Sequence, residues 1–296
     1  MKKNWFKYLV YISLIFLVIA LVRADYLIVP HIFNHTYLGI SFLLLFVGFL
    51  TLCLRWNVIL NVSGYHVKTA DAIASSGLSV FAKYIPGKVF MVIGKVGYIN
   101  KKYAYKNDKL FTYSVFDQIL AIWTAILFSL FSLNYLKNFQ FYVFIAALIW
   151  MVLLFFIFSN APYIFVQWLI NKISGRSLVV LPRIHRLSTL RVIPVHLLYW
   201  LIMSSAFYFL IASLSSSVYG YDTGFIFPVA VSFGILVLIA PGGLGIRETI
   251  LVGYLTAAGM EIDEAVTISV ASRLWFLTGE VFVFLSGLVA DRLSKN

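Results

Sequence analysis

Long apolar runs separated by short polar links make up most of this sequence. Six of the runs are close to or above the length that a helix needs to cross a bilayer, about 20 residues. The predicted spans cover about residues 8–22, 37–54, 110–133, 139–158, 194–214 and 265–290. The pattern predicts an all-α polytopic membrane protein with one transmembrane domain over residues 1–296.

Two further apolar runs, residues 69–99 and 225–259, are interrupted by proline and glycine. The break residues are Pro86 and Gly87 in the first run, and Pro241, Gly242, Gly243 and Gly245 in the second. Neither half of a broken run can span a bilayer at ~1.5 Å per residue, so both are predicted to be re-entrant helical hairpins. The start of the first, residues 69–81, is rich in small residues, which favour close helix packing in lipid.

Composition supports a membrane protein and gives it an orientation. Apolar residues make up 62% of the chain and charged residues 11%, with a mean hydropathy of +0.95. The net charge of +12 comes from basic residues in short links, so nucleic acid is not an expected partner.

With a cytoplasmic N-terminus and two hairpins of opposite orientation, 19 of the 23 basic residues are cytoplasmic, Arg55 among them. Both termini are therefore predicted to be cytoplasmic. Eight full crossings would instead put the basic stretch 101–109 outside.

The two breaks also predict an inverted repeat. Pro86 and Pro241 are 155 residues apart, and the same offset takes Asp117-Gln118 onto Ser272-Arg273. The half-repeats would cover about residues 37–133 and 194–290. Transporters with inverted repeats often have broken helices at matching positions, which mark the substrate site. The alternative is that the two proline-glycine pairs are ordinary loop ends.

Basic residues accompany both breaks. Lys83 and Lys88 flank the first, and Arg247 follows the second. Free N–H groups at a helix N-terminus together with full positive charges suit a phosphate or carboxylate. An anionic headgroup could therefore be held there while its tails stay in lipid. Alternatively, Arg247 and Glu248 form an interfacial salt bridge on an outer loop.

Charged residues also lie inside apolar helices, where a functional role or a buried ion pair is the default expectation. These residues are Asp117, Arg273 and Glu280. Arg273 and Glu280 are two helical turns apart and cannot pair directly in a regular helix. The candidate pairs are Asp117–Arg273 and either Arg247–Glu280 or Glu248–Arg273.

Three segments resemble a known family: residues 83–95 (KYIPGKVFMVIGK), 116–118 (FDQ) and 240–248 (APGGLGIRE). The chain resembles the flippase-like membrane family typified by the transmembrane half of lysylphosphatidylglycerol synthases. The resemblance implies movement of lipids or lipid-linked intermediates between leaflets, and that the matching residues line the site. Together with the buried charges, the candidate substrate-binding residues are Lys83, Tyr84, Pro86, Gly87, Lys88, Lys95, Asp117, Gln118, Pro241, Gly242, Gly243, Gly245, Arg247, Glu248, Arg273 and Glu280.

The expected function is translocation of an anionic lipid or a polyprenyl-phosphate-linked glycan in a prokaryotic inner membrane. No phosphate-binding loop of an ATPase occurs, and no enzyme activity, cofactor or metal is expected. The aminoacyl-transferase domain of the full-length synthases is absent from this sequence, so tRNA-dependent lipid aminoacylation is not expected. Expected partners are membrane lipids, envelope-biosynthesis enzymes and a second copy of the chain.

One alternative is an intramembrane lipid or sugar transferase using the acids at Glu261, Asp263 and Glu264. The other is an accessory subunit of an envelope-synthesis complex.

Overall fold

The computed structural model describes residues 30–84, 89–136, 139–159, 164, 168, 186–236, 243 and 245–294. Within these residues the chain forms nine α-helices and no strand. The helices are α1 His35–Val62, α2 Thr69–Ser79, α3 Val89–Tyr103, α4 Asn107–Ser129, α5 Phe139–Phe158, α6 Arg186–Leu214, α7 Phe227–Leu236, α8 Ile246–Ala257 and α9 Ile262–Leu293. The predicted fold class, an all-α polytopic membrane protein, is confirmed.

Four helices in the described part of the chain are long and apolar enough to cross a bilayer. They are α1, α4, residues Thr189–Leu214 of α6, and α9. The shortest, α4, has 23 residues and is ~35 Å long, which exceeds the hydrocarbon thickness of about 30 Å. Helix α5 contains a shorter apolar stretch, Phe139–Phe155, and it exposes large aromatic side chains as a lipid-facing helix does. The predicted span at residues 8–22 lies outside the described residues.

Two predicted spans have different bounds from those expected. The span predicted to end at residue 54 continues as α1 to Val62, so Arg55 is inside the helix and buried rather than at its cytoplasmic end. The helix can continue because Arg55 has a carboxylate partner within the protein, Asp117. The span predicted to begin at Pro194 begins at Thr189 within α6, which itself starts at Arg186, and Pro194 lies exposed inside this helix. Spanning helices tolerate such a proline when local adjustments satisfy the freed carbonyl group.

The two broken runs form pairs of short helices. In the first, α2 continues as a 3-10 turn over Val80–Tyr84, and α3 follows the break. In the second, α7 precedes the break and α8 follows it. Helices α2, α7 and α8 have 11, 10 and 12 residues, about 15–18 Å each, so none could cross the hydrocarbon layer alone. These lengths agree with the predicted hairpins.

Helix α2 and helix α9 cross at a contact between two glycines. A Cβ atom added at Gly77 would lie 2.3 Å from the carbonyl oxygen of Val283 and 3.0 Å from the Cα of Gly287. The two backbones therefore touch, as small residues allow between helices in lipid. The close packing predicted for the start of the first hairpin is confirmed, and it brings hairpin one against the last helix.

Two polar contacts, named here by their acidic residues, lie near helix ends: one joins the first hairpin to the end of α9, and the other joins the turn before α7 to the turn after α4. In the Asp71 latch, the Asp71 carboxylate accepts hydrogen bonds from Lys102, from the Ser294 hydroxyl and from the Tyr103 hydroxyl at 2.6 Å. In the Asp222 latch, Asp222 accepts from Asn134 Nδ2 at 3.0 Å and from the Tyr135 hydroxyl at 2.9 Å. Asp71 lies outside the four spanning helices. Burial raises its pKa, but the hydrogen bonds and the Lys102 charge outweigh burial and leave the pKa below its ordinary value.

The glycine contact predicts a large difference between two alanine substitutions. Gly77→Ala should lower the free energy of unfolding by about 1–3 kcal/mol, because its methyl group would overlap backbone atoms of α9. The control is Gly97→Ala in α3, where an added Cβ would have no neighbour within 4 Å. That change should be neutral or stabilising by up to about 1 kcal/mol, since alanine favours a helix over glycine. Unfolding of the purified protein in detergent measures both, and equal effects would contradict the packing.

Candidate functional site

A cavity of about 180 Å³ lies between the two hairpins and the long helices α1, α4, α6 and α9. At about 10–15 Å³ for each water position, it has room for on the order of ten waters or one small polar headgroup. Its polar and charged lining residues are Arg55, Ser76, Ser79, Lys83, Lys95, Asp117, Gln118, Tyr199, Arg247, Arg273 and Glu280. The remaining lining residues are apolar, apart from Gly234. These charged side chains therefore share one small cavity inside a largely apolar protein.

The first charged cluster surrounds Asp117 of α4, which is 2% exposed. Arg55 Nη2 lies 3.2 Å from Asp117 Oδ1, and Lys95 Nζ lies 3.2 Å from Oδ2. Aromatic faces support both cations: the Arg55 guanidinium carbon is 4.7 Å from the centre of the Tyr199 ring, and Lys95 Nζ is 4.0 Å from that of Trp56. One carboxylate is thus shared by two buried cations from α1 and α3.

His196 of α6 is the fourth member of this cluster, and it is fully buried. Its Nε2 lies 3.1 Å from Asp117 Oδ1, and its Nδ1 lies 3.1 Å from the carbonyl oxygen of Val192. Both ring nitrogens therefore face oxygen atoms. His196 is not among the residues predicted from the sequence, although an ionisable residue within an apolar span is a signal for a functional site.

The second charged cluster joins the first hairpin to α9 and α8. Glu280, fully buried, accepts hydrogen bonds from Lys83 and from the Tyr84 hydroxyl, the latter at 2.7 Å. Glu248 Oε1 lies 3.7 Å from Arg273 Nη1, while its other oxygen accepts a hydrogen bond from the backbone N–H of Gly245 at 2.8 Å. Glu248 therefore fixes the start of α8 and faces α9 at the same time.

Arg247 lines the cavity beside the second cluster and is 3% exposed. Its Nη2 donates to the carbonyl and hydroxyl oxygens of Ser272 at 3.2 Å, and its guanidinium lies within 5 Å of the ring centres of Phe227 and Phe276. Among the described residues, none accepts a hydrogen bond from its Nε. The ion pairs formed by the described residues also do not include Arg247.

Most of the predicted site residues that the structure describes meet at this cavity. Those that line it are Lys83, Lys95, Asp117, Gln118, Arg247, Arg273 and Glu280, while Tyr84 and Glu248 bond to lining residues. Gly243 and Gly245 are not among the lining residues. Gly243 has a positive φ of 74° and packs against Gly234 of α7, where a Cβ would lie 2.7 Å from the Gly234 Cα. Pro86, Gly87, Lys88, Pro241 and Gly242 lie outside the described residues.

The predicted ion pairs are partly correct. Glu248–Arg273 forms, but in the described part of the chain Asp117 pairs with Arg55 and Lys95 instead of Arg273. Glu280 pairs with Lys83 instead of Arg247. The alternative of an Arg247–Glu248 salt bridge on an outer loop is wrong, because both residues are buried and they do not pair with each other.

The acids of the transferase alternative lie away from the cavity. Glu261 occupies the N-cap position of α9 without a capping hydrogen bond from its side chain, and Asp263 and Glu264 belong to the first turn. None of the three lines the cavity. Acidic residues in this position stabilise a helix through its macrodipole, which accounts for them without a catalytic role.

Removing the shared carboxylate should destabilise the protein strongly. Asp117→Asn leaves Arg55 and Lys95 buried without a counter-charge, and breaking a buried ion pair in this way costs about 3–5 kcal/mol. The matched control is Asp108→Asn in the exposed first turn of the same helix, where a loss of at most about 1 kcal/mol is expected. Unfolding of both variants in detergent tests the difference, and an Asp117→Asn variant as stable as the control would refute this role for Asp117.

Comparison with known proteins places the chain in a family. The family model described as the lysylphosphatidylglycerol synthase TM region matches residues 4–284, which is nearly the whole chain. The search of curated proteins found no match to the chain. The match covers both charged clusters and all the described helices except the last nine residues of α9, and it connects the chain with membrane lipids. The chain belongs to the family of the lysylphosphatidylglycerol synthase transmembrane region.

Proposed function

We propose that this protein translocates an anionic lipid, or a polyprenyl-phosphate-linked glycan, between the two leaflets of its membrane. The headgroup binds in the cavity between the two broken hairpins while the hydrocarbon tails stay in lipid. The observation that carries the proposal is the cavity wall, where five cationic side chains face two acidic ones. Each charge at membrane depth costs roughly 2.5–3.5 kcal/mol on insertion scales, so a cationic cavity needs a reason. An anionic ligand is such a reason.

The order and packing of the helices support an inverted repeat around the cavity. A shift of 155 residues takes Asn107, where α4 begins, onto Ile262, where α9 begins. It takes α1, α2 and α3 onto α6, α7 and α8 to within four residues at their starts. The contacts follow the same exchange: α2 packs on α9 and α7 on α4, while α3 packs on α4 and α8 on α9. In transporters of this design, broken helices at the repeat interface form the substrate site.

The proposal includes a location and partners. The protein acts in a prokaryotic inner membrane with both termini in the cytoplasm, as the distribution of basic residues favours. It binds membrane lipids and acts without chemistry of its own, alongside envelope-synthesis enzymes that make or consume the lipid. A gradient, the membrane potential or that consumption would drive net movement.

Translocation can be measured in vesicles containing the purified protein. A headgroup-labelled anionic lipid is placed in one leaflet, and its arrival in the other is followed with a membrane-impermeant quencher. The native protein should move the label. Lys95→Met should slow the movement about tenfold or more, because a charge-assisted contact is lost while Asp117 keeps its pair with Arg55. Lys95→Arg should restore much of the rate.

The matched control is Lys101→Met, which removes a cation from the exposed end of the same helix and should leave the rate unchanged. A label that stays in its leaflet with the native protein, across several anionic lipids, would overturn the proposed function. Equal slowing by Lys101→Met and Lys95→Met would show that general surface charge, not the cavity, determines the rate.

A further inference from the structure

The buried charges at the cavity do not balance. Five cations line it: Arg55, Lys83, Lys95, Arg247 and Arg273. Three buried carboxylates face these cations: Asp117 and Glu280 in the wall, and Glu248 behind Arg273. Within the described residues, and with a neutral His196, the site therefore carries two more positive than negative charges.

The two excess charges lie in different clusters. In the first, Arg55 and Lys95 share the single carboxylate of Asp117. In the second, Glu280 binds Lys83 and Glu248 faces Arg273, which leaves Arg247 as the cation without a carboxylate in contact within the described structure. Each cluster thus contributes one uncompensated positive charge to the same cavity.

Arg247 presents a buried charge and a buried hydrogen-bond donor that the described residues leave without a carboxylate and without an acceptor. Its guanidinium is buried between Phe227 and Phe276, and its Nε has no hydrogen-bond acceptor among the described residues. A buried donor without an acceptor costs free energy, and so does a buried charge without a partner. A guanidinium presents a planar fork of N–H groups that matches the oxygens of a phosphoryl group. A phosphoryl ligand would remove both penalties.

We propose that the headgroup recognised here is a phosphate monoester carrying two negative charges. This inference rests on the proposed function and narrows it. One dianion neutralises the excess of both clusters, whereas a phosphodiester or a carboxylate carries one charge and leaves one cluster uncompensated. A zwitterionic headgroup compensates neither. The second proton of a phosphate monoester leaves at a pKa of about 6, so the dianion predominates above neutral pH.

Phosphatidic acid and phosphatidylglycerol with identical acyl chains provide the direct comparison, because one is a monoester and the other a diester. Binding to the full-length protein in detergent is measured at pH 8 by native mass spectrometry, with each lipid added in turn and in competition. The monoester should bind about tenfold more tightly, since it makes one more charge-assisted contact. Inorganic phosphate is the soluble probe, and a much weaker competition by it supports a lipid ligand.

A change at Arg247 should remove this preference selectively. Arg247→Gln takes away one excess charge and leaves no carboxylate without a partner, so the variant should fold, and its thermal unfolding is recorded alongside. Its preference for the monoester should fall about tenfold, to near parity with the diester, while Arg247→Lys should keep part of it. The matched control, Arg191→Gln on the exposed surface of α6, should keep the full preference.

The outcomes separate this inference from the proposed function. Equal binding of the two lipids by the native protein, with translocation intact, overturns the dianion and leaves anionic-lipid translocation standing. Inorganic phosphate that competes as well as the lipid overturns the lipid as the source of the phosphate. If the native protein neither binds nor translocates either lipid, the proposed function itself is overturned.

Discussion

The structure depends on keeping buried charges together in an apolar protein. Asp117 is the clearest case, because its carboxylate contacts Arg55, Lys95 and His196 from three other helices. These contacts join α1, α3, α4 and α6 at one point within the protein. A carboxylate in lipid would be costly alone, and so would each cation, so the four helices hold their relative positions in part because the charges require it. The cavity lies at the point where the described residues supply fewer carboxylates than buried cations.

The breaks in the two hairpins allow Lys83 and Arg247 to line the cavity. Continuous helices would need to carry Lys83 and Arg247 through the hydrocarbon layer, whereas short helices that end within the protein can present them to a shared space. The glycine contact between α2 and α9 keeps hairpin one close enough for Lys83 and Tyr84 to reach Glu280. Glu248 plays a similar part in hairpin two, since it accepts a hydrogen bond from the Gly245 backbone at the start of α8 and also faces Arg273.

Much of this fold follows from local patterns, while the partners of the buried charges do not. Apolar runs predict the helices, proline and glycine predict the breaks, and charges in apolar helices identify Asp117, Arg273 and Glu280. Arg55 and His196 are not among the predicted site residues, since nothing in the sequence near them indicates that Asp117, 62 and 79 residues away, is their partner. Arg55 also resembled an orientation signal at the end of a span. Which carboxylate a cation meets depends on helix packing, which no single segment encodes.

If the proposed transport occurs, the charge excess would determine on which step a transmembrane voltage acts. A cavity with two excess positive charges is charged when empty and neutral when it holds a dianion. A voltage of 100 mV acts on each charge with about 2.3 kcal/mol when that charge crosses the full membrane field. In such a cycle the voltage would act on the step in which the empty protein reorients, and the loaded step would be nearly insensitive to it. The membrane potential would then set the direction of lipid movement through the return of the unoccupied site.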